Sequence, residues 1–296
     1  MHDDIEARRG LTTGIALYLM WGFFPLYFRL LERSGAFEII AHRVVWSFVF
    51  CSILLTISKG WRDIRDLAHQ RRNLWGLVLA GHLVLINWTL YVWSVNAGHT
   101  LDAAMGYFIN PLVSALLGVL VLRERLSPAQ GVAFGIGVVA VVVLMLGHSS
   151  KPLISLGLAV SFGLYGLVKK VLGVSVKPAV GLTVETLATT PLALVYIGWG
   201  AAHGRSTFTG SYSLLLVSAG ILTAVPLLMF AFAASRISLT TLGILQYISP
   251  LLQFLVGLLL FGEQMPWQRW AGFSLVWVAV VMFSAEGVIR VVRRTR

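Results

Sequence analysis

Ten runs of roughly twenty apolar residues follow one another along this chain, and nothing between them is long enough to be a soluble domain. They are Leu11–Leu31, Ala36–Ser58, Leu74–Asn96, Thr100–Leu122, Pro128–Gly147, Pro152–Leu172, Pro178–Gly200, Ser213–Ser235, Leu239–Phe261 and Trp267–Gly287, numbered here as spans 1 to 10. Only Lys59–Asn73 is long and charged enough to read as a real loop, and the other connections read as tight turns. Charged residues make up 12% of the chain, too few to clothe a soluble fold of this size. In hydrocarbon every backbone N–H and C=O must be satisfied internally, so the spans are helices or strands of a closed barrel. The alternation expected of barrel strands is missing, which leaves an all-α polytopic membrane protein. The first apolar run lacks the short core and small-residue cleavage site of a secretory signal and is kept as span 1.

With ten spans both termini lie on one side. That side collects 17 Lys and Arg and the other collects 5, with Arg43 inside span 2. The positive-inside bias puts the termini in the cytoplasm and the chain in the cell (inner) membrane. The formal charge of +11 then reflects this bias and anionic headgroups, since the basic residues are spread over many loops rather than one nucleic-acid patch. The expected partners are the lipid bilayer and a small molecule, with no nucleic acid. The single cysteine, Cys51, excludes a disulfide framework and a Cys-based metal site. No cofactor motif is found. There is no Gly-rich phosphate loop for an ATP-driven pump, no H-E-x-x-H, no paired Asp motif and no G-x-S-x-G.

An offset of 139 residues aligns spans 3–5 with spans 8–10 without a gap, pairing Gly81 with Gly220, Ile109 with Ile248, Pro111 with Pro250, Gly118 with Gly257 and Glu124 with Glu263. Spans 1 and 6 need about four more residues of offset. The chain therefore reads as two five-helix repeats, residues 1–147 and 148–296, and the odd number of spans inverts the second. Inverted repeats characterise alternating-access carriers, whose site lies near the midplane between the halves.

Pro111 and Pro250 fall at the centres of spans 4 and 9, where each frees a carbonyl four residues back, on Tyr107 and Gln246. Polar stripes accompany them: Tyr107, Asn110, Ser114 and Gly118 in one span, Gln246, Ser249, Gln253 and Gly257 in the other. The stripes read either as facing each other across a central cavity or as hydrogen-bonding glue between helices. In span 3, Asn87, Tyr91 and Ser94 share a face flanked by Trp88 and Trp93, and Asn87 corresponds to Pro226 of span 8. Trp21, Tyr18 and Tyr165 are further aromatic candidates, and ordinary packing is the competing reading for each.

Two charges lie deep. Arg43 is expected to snorkel toward Asp102 or Glu38, and Glu185 to find Lys169, Lys170 or Arg236. They form either two gates, one near each surface, or structural ion pairs. Glu185 is the acid placed to titrate during transport and so the candidate for proton coupling, with His42 and His82 as candidate relays. Glu124 and Glu263 lie just beyond spans 4 and 9, and the favourable end of the following helix gives them a structural role.

Several strings resemble the RarD branch of the EamA-like transporters in the drug/metabolite transporter superfamily: Trp21–Phe28 (WGFFPLYF), Glu38–Ser47 (EIIAHRVVWS), Asn87–Asn96 (NWTLYVWSVN), Gly106–Val113 (GYFINPLV), Ser161–Lys170 (SFGLYGLVKK) and Gln246–Leu255 (QYISPLLQFL). The resemblance covers nearly the whole chain. It implies two inverted five-helix halves around a central cavity and secondary transport of small metabolites or drugs, with efflux the default direction. Amino acids and chloramphenicol-like compounds are the substrates it suggests. It assigns no catalytic residue. Readings from other classes are an intramembrane lipid-modifying enzyme, which would need a titratable nucleophile or metal cluster at one depth, and a channel or membrane sensor.

Overall fold

The computed structural model describes residues 2–123, 152–172, 176–234, 236–237 and 245–263, with scattered positions within 128–142 and 267–281. The described residues form helices and no strand. These are α1 (His2–Gly22), α2 (Phe24–Leu30), α3 (Ala36–Ile57), α4 (Trp61–Ala68), α5 (Arg71–Asn96), α6 (Thr100–Leu122), α7 (Pro152–Leu172), α8 (Pro178–Ala202), α9 (Tyr212–Ala234) and α10 (Ile248–Leu255), which runs on into a π-helical turn, Val256–Leu260. Seven helical stretches, α1 and α2 counting as one, are long and apolar enough to cross a membrane, and Ile248–Leu260 is a shorter apolar helix. The chain is thus a multi-pass membrane protein. Most of spans 5 and 10, the start of span 9, Glu124 and the side chain of Pro111 lie outside the described residues.

Three expectations are corrected. The charged segment after α3 is not a bare loop. It holds the helix α4, tied to the turn before α8 by Lys177 Nζ and Asp63 at 2.8 Å. The connection from α8 to α9 is no tight turn but a nine-residue stretch, 203–211. Glu38 grips it, accepting from the Thr207 N–H (2.7 Å) and the Thr207 hydroxyl (3.0 Å), while Phe208 stacks on His42 at 4.8 Å. Pro250 does not sit at the centre of a helix. The helix is interrupted at Tyr247, and Pro250 sits in the first turn of α10, where a missing N–H costs nothing.

Span 1 is also broken. Pro25, in the first turn of α2, cannot donate to Trp21 O, and α1 ends at Gly22. The freed carbonyl is satisfied from another helix, because Gln253 Nε2 donates to Trp21 O at 3.0 Å. One turn away Ser249 Oγ donates to Tyr18 O at 2.6 Å. Two polar side chains of α10 thus hold α1.

The packing has a regular exchange rule. Replace α1 by α7, α3 by α8, α5 by α9 and α6 by α10, and each major interface maps onto another or onto itself. The α6–α7 interface maps onto α10–α1, α5–α8 onto α9–α3, and α5–α7 onto α9–α1, while α3–α8 and α6–α10 map onto themselves. The close approaches obey it too. A Cβ on Gly81 would overlap the backbone carbonyl of Glu185 in α8, and one on Gly220 would overlap the backbone of Trp46 and Ser47 in α3. Gly163 meets Val113 as Gly22 meets Leu252, and Val113 and Leu252 again stand 139 apart. Small residues at membrane crossings let backbones touch, which replaces the hydrophobic drive that lipid removes.

The crossings set a stability test. Gly81→Ala and Gly220→Ala, which drive a methyl into neighbouring backbone, are expected to cost about 1–3 kcal/mol each, the range for overpacking. Gly198→Ala in α8, where no atom lies within 4 Å of the new methyl, is expected to be neutral or stabilising. Thermal unfolding in detergent, followed by intrinsic fluorescence, separates the two classes.

Candidate functional site

A cavity opens where α1, α2, α3, α5, α6, α7, α9 and α10 converge. Its walls are aromatic. Tyr18 and Trp21 come from α1, Trp88 and Tyr91 from α5, Tyr107 from α6 and Phe162 from α7. Ring contacts join them, Tyr91 to Tyr107 tilted at 5.5 Å and Tyr18 to Trp21 edge-on at 5.7 Å. The polar lining is Asn87, Thr223, Gln246, Ser249 and Gln253, and among the described residues Arg43 is the one charge in the lining.

Asn87 is held on every side. Its Nδ2 donates to Leu158 O (3.0 Å) and Ser161 Oγ (3.1 Å), and its Oδ1 accepts from the Tyr107 hydroxyl (3.1 Å). It ties α5 to α7 and fixes the Tyr107 ring on the wall. A buried amide satisfied in this way specifies one helix arrangement.

Arg43 does not snorkel. It is 2% exposed, and neither Asp102 nor Glu38 reaches it. Its Nε donates to Thr223 Oγ1 at 2.8 Å, and its guanidinium lies over the rings of Phe28 (4.9 Å) and Trp88 (4.6 Å). The flat ion is held by ring faces instead. Asp102 is buried at the start of α6, 3.3 Å from His99 Nδ1.

Glu185 stands apart from the cavity, between α7 and α8. Lys169 Nζ reaches its Oε1 at 2.5 Å and the Tyr165 hydroxyl donates to Oε2 at 3.3 Å. Arg236 is engaged elsewhere, by Glu6 at 2.8 Å. Glu263 caps a helix from a distance, accepting from the backbone N–H groups of Thr100 and Leu101 at 2.9 and 3.0 Å. The helix so capped is α6, which fills those orphan donors and favours negative charge there.

The structure therefore brings Trp21, Asn87, Trp88, Tyr91, Tyr107, Gln246, Ser249, Gln253, Pro250 and Arg43 to one cavity. Asn110 is buried outside its lining, Ser114 is exposed, and Tyr165 belongs with Glu185. Pro226 lies within α9, one residue before the lining residue Leu227. Sequence reasoning missed Phe24, Phe162, Leu227 and Thr223. The first three carry no polar signal, and a lone Thr on a membrane helix suits any face.

The ion pair offers a second test. Lys169→Met strands a buried carboxylate, and Glu185→Gln strands a less buried ammonium, so the first substitution should lower the unfolding midpoint more. The double variant should recover part of the loss, a coupling that a double-mutant cycle measures.

Comparison with known proteins adds the family. The sequence profile of the EamA-like transporter family matches residues 8–146 and 150–285. The chain is 47% identical to "Protein RarD" of Streptomyces exfoliatus, over 100% of this chain and 94% of that one. It is 42% identical to "Uncharacterized transporter YojE" of Bacillus subtilis (strain 168), over 96% of each. A solved crystal structure, 18% identical, shares the fold with a TM-score of 0.65 over 94% of this chain and 98% of that chain.

Proposed function

The chain belongs to the RarD branch of the EamA-like transporters, in the drug/metabolite transporter superfamily, and on that premise we propose that it moves a small amphiphilic solute across the membrane by alternating access. That it is a membrane transporter follows from the family. The observation that carries the finer reading is the cavity itself, walled by helices from both parts of the chain and lined by ring faces with a few polar groups.

The exchange rule in the packing supports two inverted five-helix repeats, residues 1–147 and 148–296. In such an arrangement one set of contacts opens as its counterpart closes, around a fixed site. The solute rests against Trp21, Trp88 and Tyr107, while Asn87 positions Tyr107 rather than binding directly. Export from the cytoplasm, with both termini inside the cell membrane, is the direction and orientation proposed.

Glu185 is the proposed coupling site. It is faced by Lys169 and Tyr165 from α7, and Cys51 of α3 lies within electrostatic reach. Protonation of the carboxylate would release Lys169 and loosen α7 from α8, which is a change that can be tied to opening.

The test reconstitutes the full chain in liposomes and measures counterflow of radiolabelled amino acids and chloramphenicol, with and without a pH gradient. Saturable counterflow is the expected result. Glu185→Gln should keep counterflow and lose its response to the gradient. An unchanged response in that variant returns Glu185 to a structural ion pair. Saturation without counterflow would remove the carrier reading.

A further inference from the structure

Four buried polar atoms of the cavity wall have no hydrogen-bond partner among the described residues: Arg43 Nη1, Tyr91 Oη, Tyr18 Oη and Gln253 Oε1. They fall into two groups. Arg43 and Tyr91 both pack on Phe28, the first at 4.9 Å and the second at 5.8 Å between centres. Tyr18 and Gln253 lie where α10 grips α1. In the first group Arg43 Nη1 can only donate, and the Tyr91 phenol can donate or accept. The second presents an acceptor, Gln253 Oε1, and a phenol able to do either.

A buried guanidinium is costly unless an anion meets it. Thr223 does not supply one, because its own hydroxyl donates to Ala219 O at 2.7 Å and offers Arg43 only a neutral lone pair. Ring faces attract the cation but leave the edge of the fork bare. The three buried acids among the described residues are all committed: Glu38 to residues 206–207, Asp102 beside His99, Glu185 to Lys169. Among the described residues no acidic side chain lines the cavity.

From this we infer that the cavity selects organic anions: Arg43 and Tyr91 bind a carboxylate or a like oxyanion, the ring faces hold an apolar body, and Gln253 accepts from a donor where the solute has one. The inference rests on the carrier reading and narrows it from amphiphilic solutes in general to those with net negative charge. A zwitterion is disfavoured relative to the simple anion, since no carboxylate in the lining meets its ammonium.

The test compares four solutes with one body and different charge: 3-phenylpropionate, 3-phenylpropionamide, phenylalanine and phenethylamine. A hexanoate and hexanamide pair repeats the comparison on an aliphatic body. Binding to the purified full chain in detergent is read from quenching of tryptophan fluorescence, since Trp21 and Trp88 stand in the wall. The anion should bind roughly tenfold or more tighter than its amide, as a charge-assisted hydrogen bond provides. Arg43→Gln should abolish that preference while the amide binds as before, and Arg43→Lys should restore part of it. Size-exclusion profiles of the two variants confirm folding.

Equal binding of anion and amide on both bodies would overturn the inference. So would no binding by any of the six, or a preference that survives Arg43→Gln. The carrier reading fails separately. Anions that bind with the predicted preference but show no counterflow in liposomes would sink transport and leave the anion site standing. Counterflow of neutral solutes that ignores Arg43→Gln would do the reverse.

Discussion

The cavity depends on two places where helices touch backbone to backbone. At Gly81 α5 lies against α8, and at Gly220 α9 lies against α3. Apolar side chains gain little by leaving lipid for each other, so a membrane bundle must find its stability in close contact and in hydrogen bonds between helices. Ser47 Oγ donating to Gly220 O at 3.0 Å adds a polar tie at one of the two points. The same logic repeats where α10 holds α1: a proline frees a carbonyl, and the glutamine of another helix satisfies it.

The buried charges follow a division of labour. Acidic side chains serve the scaffold. Glu38 pins the 203–211 connection, Glu263 closes the start of α6, and Glu185 joins α7 to α8 through Lys169. The basic residue at the centre is left without an acid and sits among aromatic faces. An arginine tolerates this better than a lysine, because its charge is spread over a plane that rings can cover on both sides. The proposed anion selectivity rests on this arrangement, in which the acids are satisfied locally and Arg43 faces the cavity.

Much of the architecture was legible before any coordinates. Thr100–Leu122 and Pro152–Leu172 are helices with the bounds that hydropathy and their flanking prolines or charges give. The equivalences at offset 139 reappear as matched contacts at Gly81 and Gly220. Where the reading failed, a local device was overlooked. Pro25 breaks the first span and Tyr247 interrupts the ninth, yet both segments stay predominantly apolar on either side, so a hydropathy window passes over the break. The segment after Lys59 is charged enough to look like a loop, although its charges lie on one side of the short helix α4.

The site was half legible. Polar residues in apolar spans stand out, and Asn87, Tyr107, Gln246, Ser249 and Gln253 were found in that way. Their partners were not. Arg43 was expected to reach an acid near the surface, since sequence gives depth along a helix but not its rotation; the structure turns it onto Trp88 and toward Thr223. Sequence alone determined that the chain crosses the membrane as helices, because a bare backbone in hydrocarbon is prohibitively costly and apolar length is visible in one dimension. Only the tertiary structure decided which polar atoms are spent on neighbouring helices and which face the cavity, because that depends on how each helix is rotated against its neighbours, and no single helix carries that information.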